Sequence, residues 1–148
     1  MADVDRGVST ILGYSLNLVV ATLVVTGVLI AAGSLVESQR DQAAKAELSV
    51  VGERLVADLE TADRLARSAD DGHVSVETTL PTRIAGTPYD VAIVTESGEA
   101  RAVFSIDSMA DDVVVPVNNE TAIANASHRG GDLRITWSAG GPLEVQDG

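Results

Sequence analysis

The chain offers few side chains that could carry out catalysis or bind a metal. His73 and His128 are its only histidines, and none of the 148 residues is cysteine. A disulfide, a thiolate zinc site and a cysteine nucleophile are therefore excluded. Each histidine stands beside a turn signal, which predicts a surface position, and no histidine pair has the spacing of metal ligands.

Two other patterns could indicate a ligand site. The segment 128–132, His-Arg-Gly-Gly-Asp, suggests a phosphate-binding loop but lacks the Walker spacing and its lysine. Asp70-Asp71 and Asp111-Asp112 could hold a divalent cation loosely, but neither has the alternating spacing of a calcium loop, and solvated acidic turns explain them better. We therefore expect no catalytic residue, no metal site, no cofactor and no enzymatic activity.

Two N-glycosylation sequons are the remaining chemical signal. Asn119-Glu120-Thr121 and Asn125-Ala126-Ser127 lie close together in a polar stretch between predicted strands. On a protein displayed outside the cell they predict glycans on Asn119 and Asn125, which would add solubility and shield the surface. The alternative is a solvated loop that carries no modification.

A long apolar block lies near the N-terminus and predicts that the remaining residues are displayed at a membrane. No charged residue occurs from Gly7 to Val36, and twelve of the 20 residues from Ile11 to Ile30 are Leu, Ile or Val. About 20 apolar residues suffice to cross a bilayer as a helix, so we predict a membrane helix over 8–36. Cleavage near Ala31-Ala32-Gly33 would instead release a secreted domain, but the block is too long for an ordinary secretory signal.

The remainder of the chain is acidic. Residues 37–148 contain 20 acidic and 9 basic side chains, a formal charge of −11, and Lys45 is the only lysine. This surface repels nucleic acid, so we expect no nucleic-acid partner. High acidity with little lysine is typical of proteins that remain soluble in very high salt, although a GC-rich genome also favours arginine over lysine.

Periodicity predicts an α+β fold. Between residues 37 and 71 apolar positions recur every three or four residues, which predicts that the helix continues as an amphipathic half, with a bend at Gly52. Beyond Gly72, short runs rich in Val, Ile and Thr predict a β-rich domain over 72–148. The predicted strands are His73–Leu80, Tyr89–Thr95, Ala100–Ile106, Val113–Val117, Leu133–Trp137 and Leu143–Gln146. We expect the long N-terminal helix to pack on a C-terminal antiparallel β-sheet.

The segment 5–13, Asp-Arg-Gly-Val-Ser-Thr-Ile-Leu-Gly, followed by the apolar helix, resembles the N-terminus of haloarchaeal type IV pilins and pilin-like proteins. The resemblance implies a leader peptide over 1–7 that a prepilin peptidase removes between Gly7 and Val8. It also implies that the helix bundles with those of other pilin-like subunits while the β domain faces outward. Leu12 stands where bacterial pilins carry glutamate, and this difference favours a minor or pilin-like subunit.

Small and polar residues within the apolar block favour contacts between helices. Gly27 and Ala31 have small-xxx-small spacing, and Asn17 places a carboxamide where a neighbouring helix could supply its hydrogen-bond partner. The alternative is that such residues are ordinary features of a single-pass helix.

Together these patterns predict a structural, minor subunit of an archaeal type IV pilus-like surface filament. It would sit in the cell membrane by a single pass with its C-terminal domain extracellular. The main alternative is a membrane-anchored ectodomain that does not polymerise and acts as a binding or envelope module. An archaellum-type motility subunit is a third possibility.

Overall fold

The computed structural model describes residues 2–69 and 71–148, with side chains from Gly13 onwards. One helix precedes seven strands: α1 (Ala2–Ser68), β1 (His73–Thr79), β2 (Asp90–Glu96), β3 (Glu99–Ser105), β4 (Val113–Val117), β5 (Ala126–Arg129), β6 (Asp132–Ser138) and β7 (Glu144–Asp147). The chain divides into two units, Met1–Arg40 and Asp41–Gly148. We call the second unit the head.

The part of α1 inside the head forms because its apolar residues recur at helical spacing and its core face is covered. Leu48, Leu55 and Leu59 are fully buried, as the periodicity predicts. At the last turn Ala66 is buried and Leu65 is 45% exposed, so the smaller residue faces the core. The helix ends at Ser68.

Gly52 lies at a point of close packing. Helix α1 continues through this position without interruption. A Cβ atom at Gly52 would lie 2.8 Å from Val115 Cγ2 and 2.9 Å from Phe104 Cε2. The glycine therefore lets the helix backbone approach β3 and β4 closely, while the bend at this residue stays a prediction.

The strands form two antiparallel sheets. The first has the order β1-β6-β7 and the second the order β4-β3-β2-β5. Six strands begin and end within one residue of their predicted bounds. The prediction missed β5, whose sequence Ala-Ser-His-Arg contains no β-branched or aromatic residue.

Alternate strand residues and the helix share one hydrophobic core. Val91, Ile93 and Phe104 enter it from the second sheet, while Ile135 and Trp137 enter it from the first. Within the described residues, every buried apolar side chain lies between Ala44 and Val145, so the core belongs entirely to the head. The predicted α+β class, with a long N-terminal helix packed on antiparallel β-structure as in type IV pilins, is confirmed.

Ser97 and Gly98 form the tight hairpin that joins β2 to β3. Glu96 pairs with Glu99 across a two-residue loop, and both loop residues have positive φ, 54° at Ser97 and 89° at Gly98. This geometry matches the right-handed twist of the two strands. Serine adopts it less readily than asparagine would, so the turn is not optimal.

Candidate functional site: an uncovered apolar helix and an anchored loop

Residues 13–36 of α1, which we call the apolar segment, lie in the first unit with their side chains uncovered. Large apolar residues are exposed all around the helix, and their exposed fractions run from 49% at Val20 to 73% at Tyr14. None of the apolar stretch of 18 residues is buried within the protein. A soluble monomer rarely exposes such a continuous apolar surface, because its contact with water is unfavourable. The segment is long and apolar enough to cross a membrane, as a transmembrane helix or a signal sequence does.

Three hydroxyl side chains in this segment form hydrogen bonds within their own helix. The Thr22 hydroxyl donates to the Leu18 carbonyl at 2.8 Å, and Thr26 donates to the Thr22 carbonyl at 2.8 Å. Ser34 donates to the Ala31 carbonyl at 3.0 Å. These hydroxyl groups can therefore enter hydrocarbon without a partner from another molecule.

Asn17 differs from these residues. Its side chain is exposed, and no other residue that the structure describes forms a hydrogen bond with its carboxamide. An unpaired carboxamide is unfavourable in hydrocarbon, where water cannot satisfy it. Gly27 and Ala31 are also exposed, and a Cβ atom at Gly27 would meet nothing within 4 Å. This stretch is therefore free of intramolecular contacts that would block the approach of a second helix.

The predicted cleavage site lies at the start of α1. Gly7 and Val8 fall outside the residues whose side chains the structure describes. Cleavage between them remains an expectation from the resemblance to pilins.

The head contains one strongly held polar loop, residues 118–121, which we call the anchored loop. Asp63 on α1 accepts hydrogen bonds through Oδ1 from the backbone amides of Thr121, at 2.7 Å, and Glu120, at 3.3 Å. Its Oδ2 atom accepts from Arg67 Nε at 3.1 Å, and Arg67 Nη1 also lies 3.1 Å from Glu120 Oε1. Glu60 Oε1 accepts from both nitrogens of Asn118. Two carboxylates of the helix thus hold the loop.

The environment of Asp63 favours its charged form. The side chain is only 4% exposed, and burial alone would raise the pKa of its carboxyl. Hydrogen bonds from the Thr121 amide and hydroxyl, a further bond from the Glu120 amide, and the charge of Arg67 outweigh burial and lower the pKa. Asp63 is therefore a buried, ionised anchor for the loop.

The anchored loop holds one of the two sequons. Asn119 is half-buried, and its Nδ2 atom donates to the Thr121 carbonyl at 2.9 Å. Asn125 lies immediately before β5, is exposed, and accepts a hydrogen bond through Oδ1 from the Thr95 amide at 2.8 Å. The two predicted glycosylation sites therefore differ in accessibility, which the sequence does not reveal.

The two histidines, both predicted to lie at the surface, differ in exposure. His73 is exposed, with Nδ1 3.4 Å from Ser138 Oγ. His128 is not a surface residue, because its side chain is 16% exposed and lies between β5 and β7, where Nε2 is 2.9 Å from the Val145 carbonyl and Nδ1 is 2.9 Å from Asp147 Oδ1. The expectation for His128 was wrong because β5 was missed.

The glycines after His128 serve packing and turning. A Cβ atom at Gly130 would lie 2.3 Å from Tyr89 Cε1, so only glycine permits the tyrosine ring to pack there. Gly131 has a φ of 145° in the turn to β6. These constraints account for the glycine pair that suggested a phosphate-binding loop.

Two ion pairs involve basic residues of α1. Asp63 pairs with Arg67 four residues later on the helix. Lys45 pairs with Asp111 of the β3–β4 loop at 2.8 Å, and that hydrogen bond lowers the pKa of the Asp111 carboxyl. Within residues 2–69 and 71–148 no group of three or more His, Asp or Glu side chains is arranged to hold a metal ion.

Sequence reasoning missed the anchored loop. The only available signal was the i, i+4 pair of Asp63 and Arg67, which indicates an exposed helix face and gives no sign of a contact 58 residues away.

These features define an α+β protein with a helix capable of crossing a membrane and a head that holds its own core. Residues 3–146 match a family of unknown function, DUF7266. The match covers nearly the whole chain, so the chain belongs to this family. No curated protein and no solved structure matches it.

Proposed function

We propose that the protein is a structural subunit of a type IV pilus-like filament on an archaeal cell surface, assembled through its apolar N-terminal helix. The uncovered apolar segment carries this proposal. This apolar surface would be covered first by the lipid of the membrane and then by the helices of other subunits.

The arrangement of polar groups supports assembly over simple anchoring. Hydroxyl groups at Thr22 and Thr26 are satisfied within the helix and are compatible with lipid alone. Asn17 has no such partner among the described residues, and a neighbouring helix would supply one. Gly27 and Ala31 provide a surface on which a second backbone can approach closely.

Processing by a prepilin peptidase is the first test. Mass spectrometry of the N-terminus of the protein, taken from membrane and sheared-surface fractions, should show a mature chain that begins at Val8. An intact Met1 or Ala2 would support the alternative of a permanently anchored ectodomain. A start near Ser34 would identify a secreted domain and contradict both membrane proposals.

Helix packing is tested separately by substitution. Asn17→Leu and Gly27→Leu should each reduce incorporation into sheared filaments several-fold while membrane insertion is retained, because they remove a hydrogen bond and a close approach. Val19→Leu and Val28→Leu are matched controls at neighbouring exposed positions and should assemble normally. If both test variants assemble as well as the controls, the helices do not pack through these residues.

A further inference from the structure

The two sequons lie only six residues apart in the chain but in different structural settings. At Asn119 the carboxamide nitrogen of the sequon is engaged, because it donates to the Thr121 carbonyl at 2.9 Å. The backbone amides of Glu120 and Thr121 fix the rest of this sequon to Asp63 of α1. A transferase that needs an extended acceptor segment would have to break these contacts.

At Asn125 the carboxamide oxygen, and not the nitrogen, is engaged. Its carboxamide oxygen is held by the Thr95 amide at 2.8 Å, which orients the side chain at the end of β5. No described residue accepts a hydrogen bond from its Nδ2 atom. The third residue of this sequon, Ser127, is exposed on β5, where its backbone pairs with Ala92.

β5 is an edge strand in its sheet. Just before Asn125, the Ala124 amide donates to the Leu143 carbonyl and the Ala122 carbonyl accepts from the Leu143 amide, each at 2.8 Å. β5 is also only four residues long. A glycan at the start of this strand would not displace any residue of the core, because Asn125 and Ser127 are both exposed.

We propose that Asn125 is the N-glycosylated residue of the folded head and that Asn119 is not modified. In the transfer step, Asn125 Nδ2 forms a bond to the anomeric carbon of a lipid-linked sugar phosphate donor. The bond between that carbon and the phosphate oxygen breaks, the lipid phosphate leaves with the electron pair, and the amide nitrogen loses one proton. This inference rests on the proposed extracellular position of the head.

The test uses the full chain isolated from the cells that naturally express it. Cleavage after glutamate at Glu99, Glu120 and Glu144 gives peptides 100–120 and 121–144, so mass spectrometry reads each sequon separately. The glycan mass should appear on 121–144 and be absent from 100–120. A glycan on 100–120, or on neither peptide, would overturn the proposal.

Substitutions at the third sequon position avoid disturbing the asparagine itself. Ser127→Ala should abolish the modification of peptide 121–144, while Ser127→Thr should retain it, because only the hydroxyl is required. Thr121→Ser, which keeps the other sequon, should leave the glycan of peptide 121–144 unchanged. Retention of the glycan in the Ser127→Ala variant would assign it to another residue and contradict the proposal.

A separate measurement distinguishes failure of this site from failure of the proposed function. Protease added to intact cells should cleave the head if it lies outside the membrane. An accessible head without a glycan on Asn125 overturns the glycosylation proposal alone. A head protected in intact cells overturns the extracellular position as well, and with it both proposals.

Discussion

At the scale of single residues, Asp63 is the buried charge that links the helix to the rest of the head. Its carboxylate accepts two backbone amides and one guanidinium bond, which together outweigh the cost of burial. Hydrogen bonds to charged groups contribute about 1.5–3 kcal/mol each. The side chain therefore determines where residues 118–121 lie.

We expect Asp63→Asn to lower the free energy of unfolding by about 2 kcal/mol, because an amide is a weaker acceptor and presents one N–H group to other donors. The folded-state pKa of Asp63 is lowered from 3.8, so its stabilising effect is complete above that pH and is lost as the pH falls through the folded-state value. Denaturant titrations of the full chain in detergent at pH 7 and at pH values below 3.8 measure both effects. Asp107→Asn, at an exposed position, is the control and should change neither. Equal acid sensitivity in the wild type and the Asp63→Asn variant would contradict this role.

Tyr89 is expected to control stability at alkaline pH. Burial, with a further contribution from Glu47, raises the pKa of Tyr89 to about 12, and its hydroxyl donates to the Pro81 carbonyl at 2.8 Å. The folded state therefore retains the proton, and stability should fall as the pH rises from 10 towards 12. Tyr89→Phe should cost about 1 kcal/mol at pH 7 and should reduce this alkaline loss. Chemical denaturation between pH 7 and pH 12 tests both expectations, with Tyr14→Phe, at an exposed position, as the control.

At the scale of elements, the contact between α1 and the second sheet depends on Gly52. Gly52→Ala should reduce the free energy of unfolding of the full chain by about 1–3 kcal/mol from overpacking, despite a gain of up to about 1 kcal/mol in helix propensity. Gly52→Val should be worse than Gly52→Ala, because it adds two methyl groups where Val115 and Phe104 leave no room. Gly33→Ala, where a Cβ meets nothing within 4 Å, is the control. A neutral or stabilising Gly52→Ala would show that the sheet moves aside at little cost.

The elements were predictable to different degrees for physical reasons. The helix and six strands follow from apolar periodicity, which reports whether a side chain faces the core. The residues of β5, Ala-Ser-His-Arg, give no such signal, and the backbone of this strand pairs with β2. The anchored loop and the role of Gly52 depend on contacts between distant residues, and local patterns do not encode them. Whether Asn17, Gly27 and Ala31 contact other subunits remains a prediction.

At the scale of the whole molecule, the two units should behave independently in solution. All buried apolar side chains among the described residues belong to the head, so a fragment Asp41–Gly148 should fold and remain soluble and monomeric. The full chain should stay with the membrane after alkaline extraction, while the fragment should not. Cooperative thermal unfolding of the fragment, monitored by circular dichroism, measures the first expectation, and fractionation measures the second. A fragment that is unfolded, or one that remains bound to membranes, would contradict this division.

The pairing of β1 with β6 has a consequence for biogenesis. His73 pairs with Ser138, and β6 also pairs with β7, which ends at Asp147. The first sheet therefore cannot close until β7 has been synthesised, and such long-range pairing is slow. The apolar segment precedes the head in the chain and is available to the insertion machinery before β7 is made. In an inserted chain, the membrane would thus hold the apolar segment while the head completes its sheets.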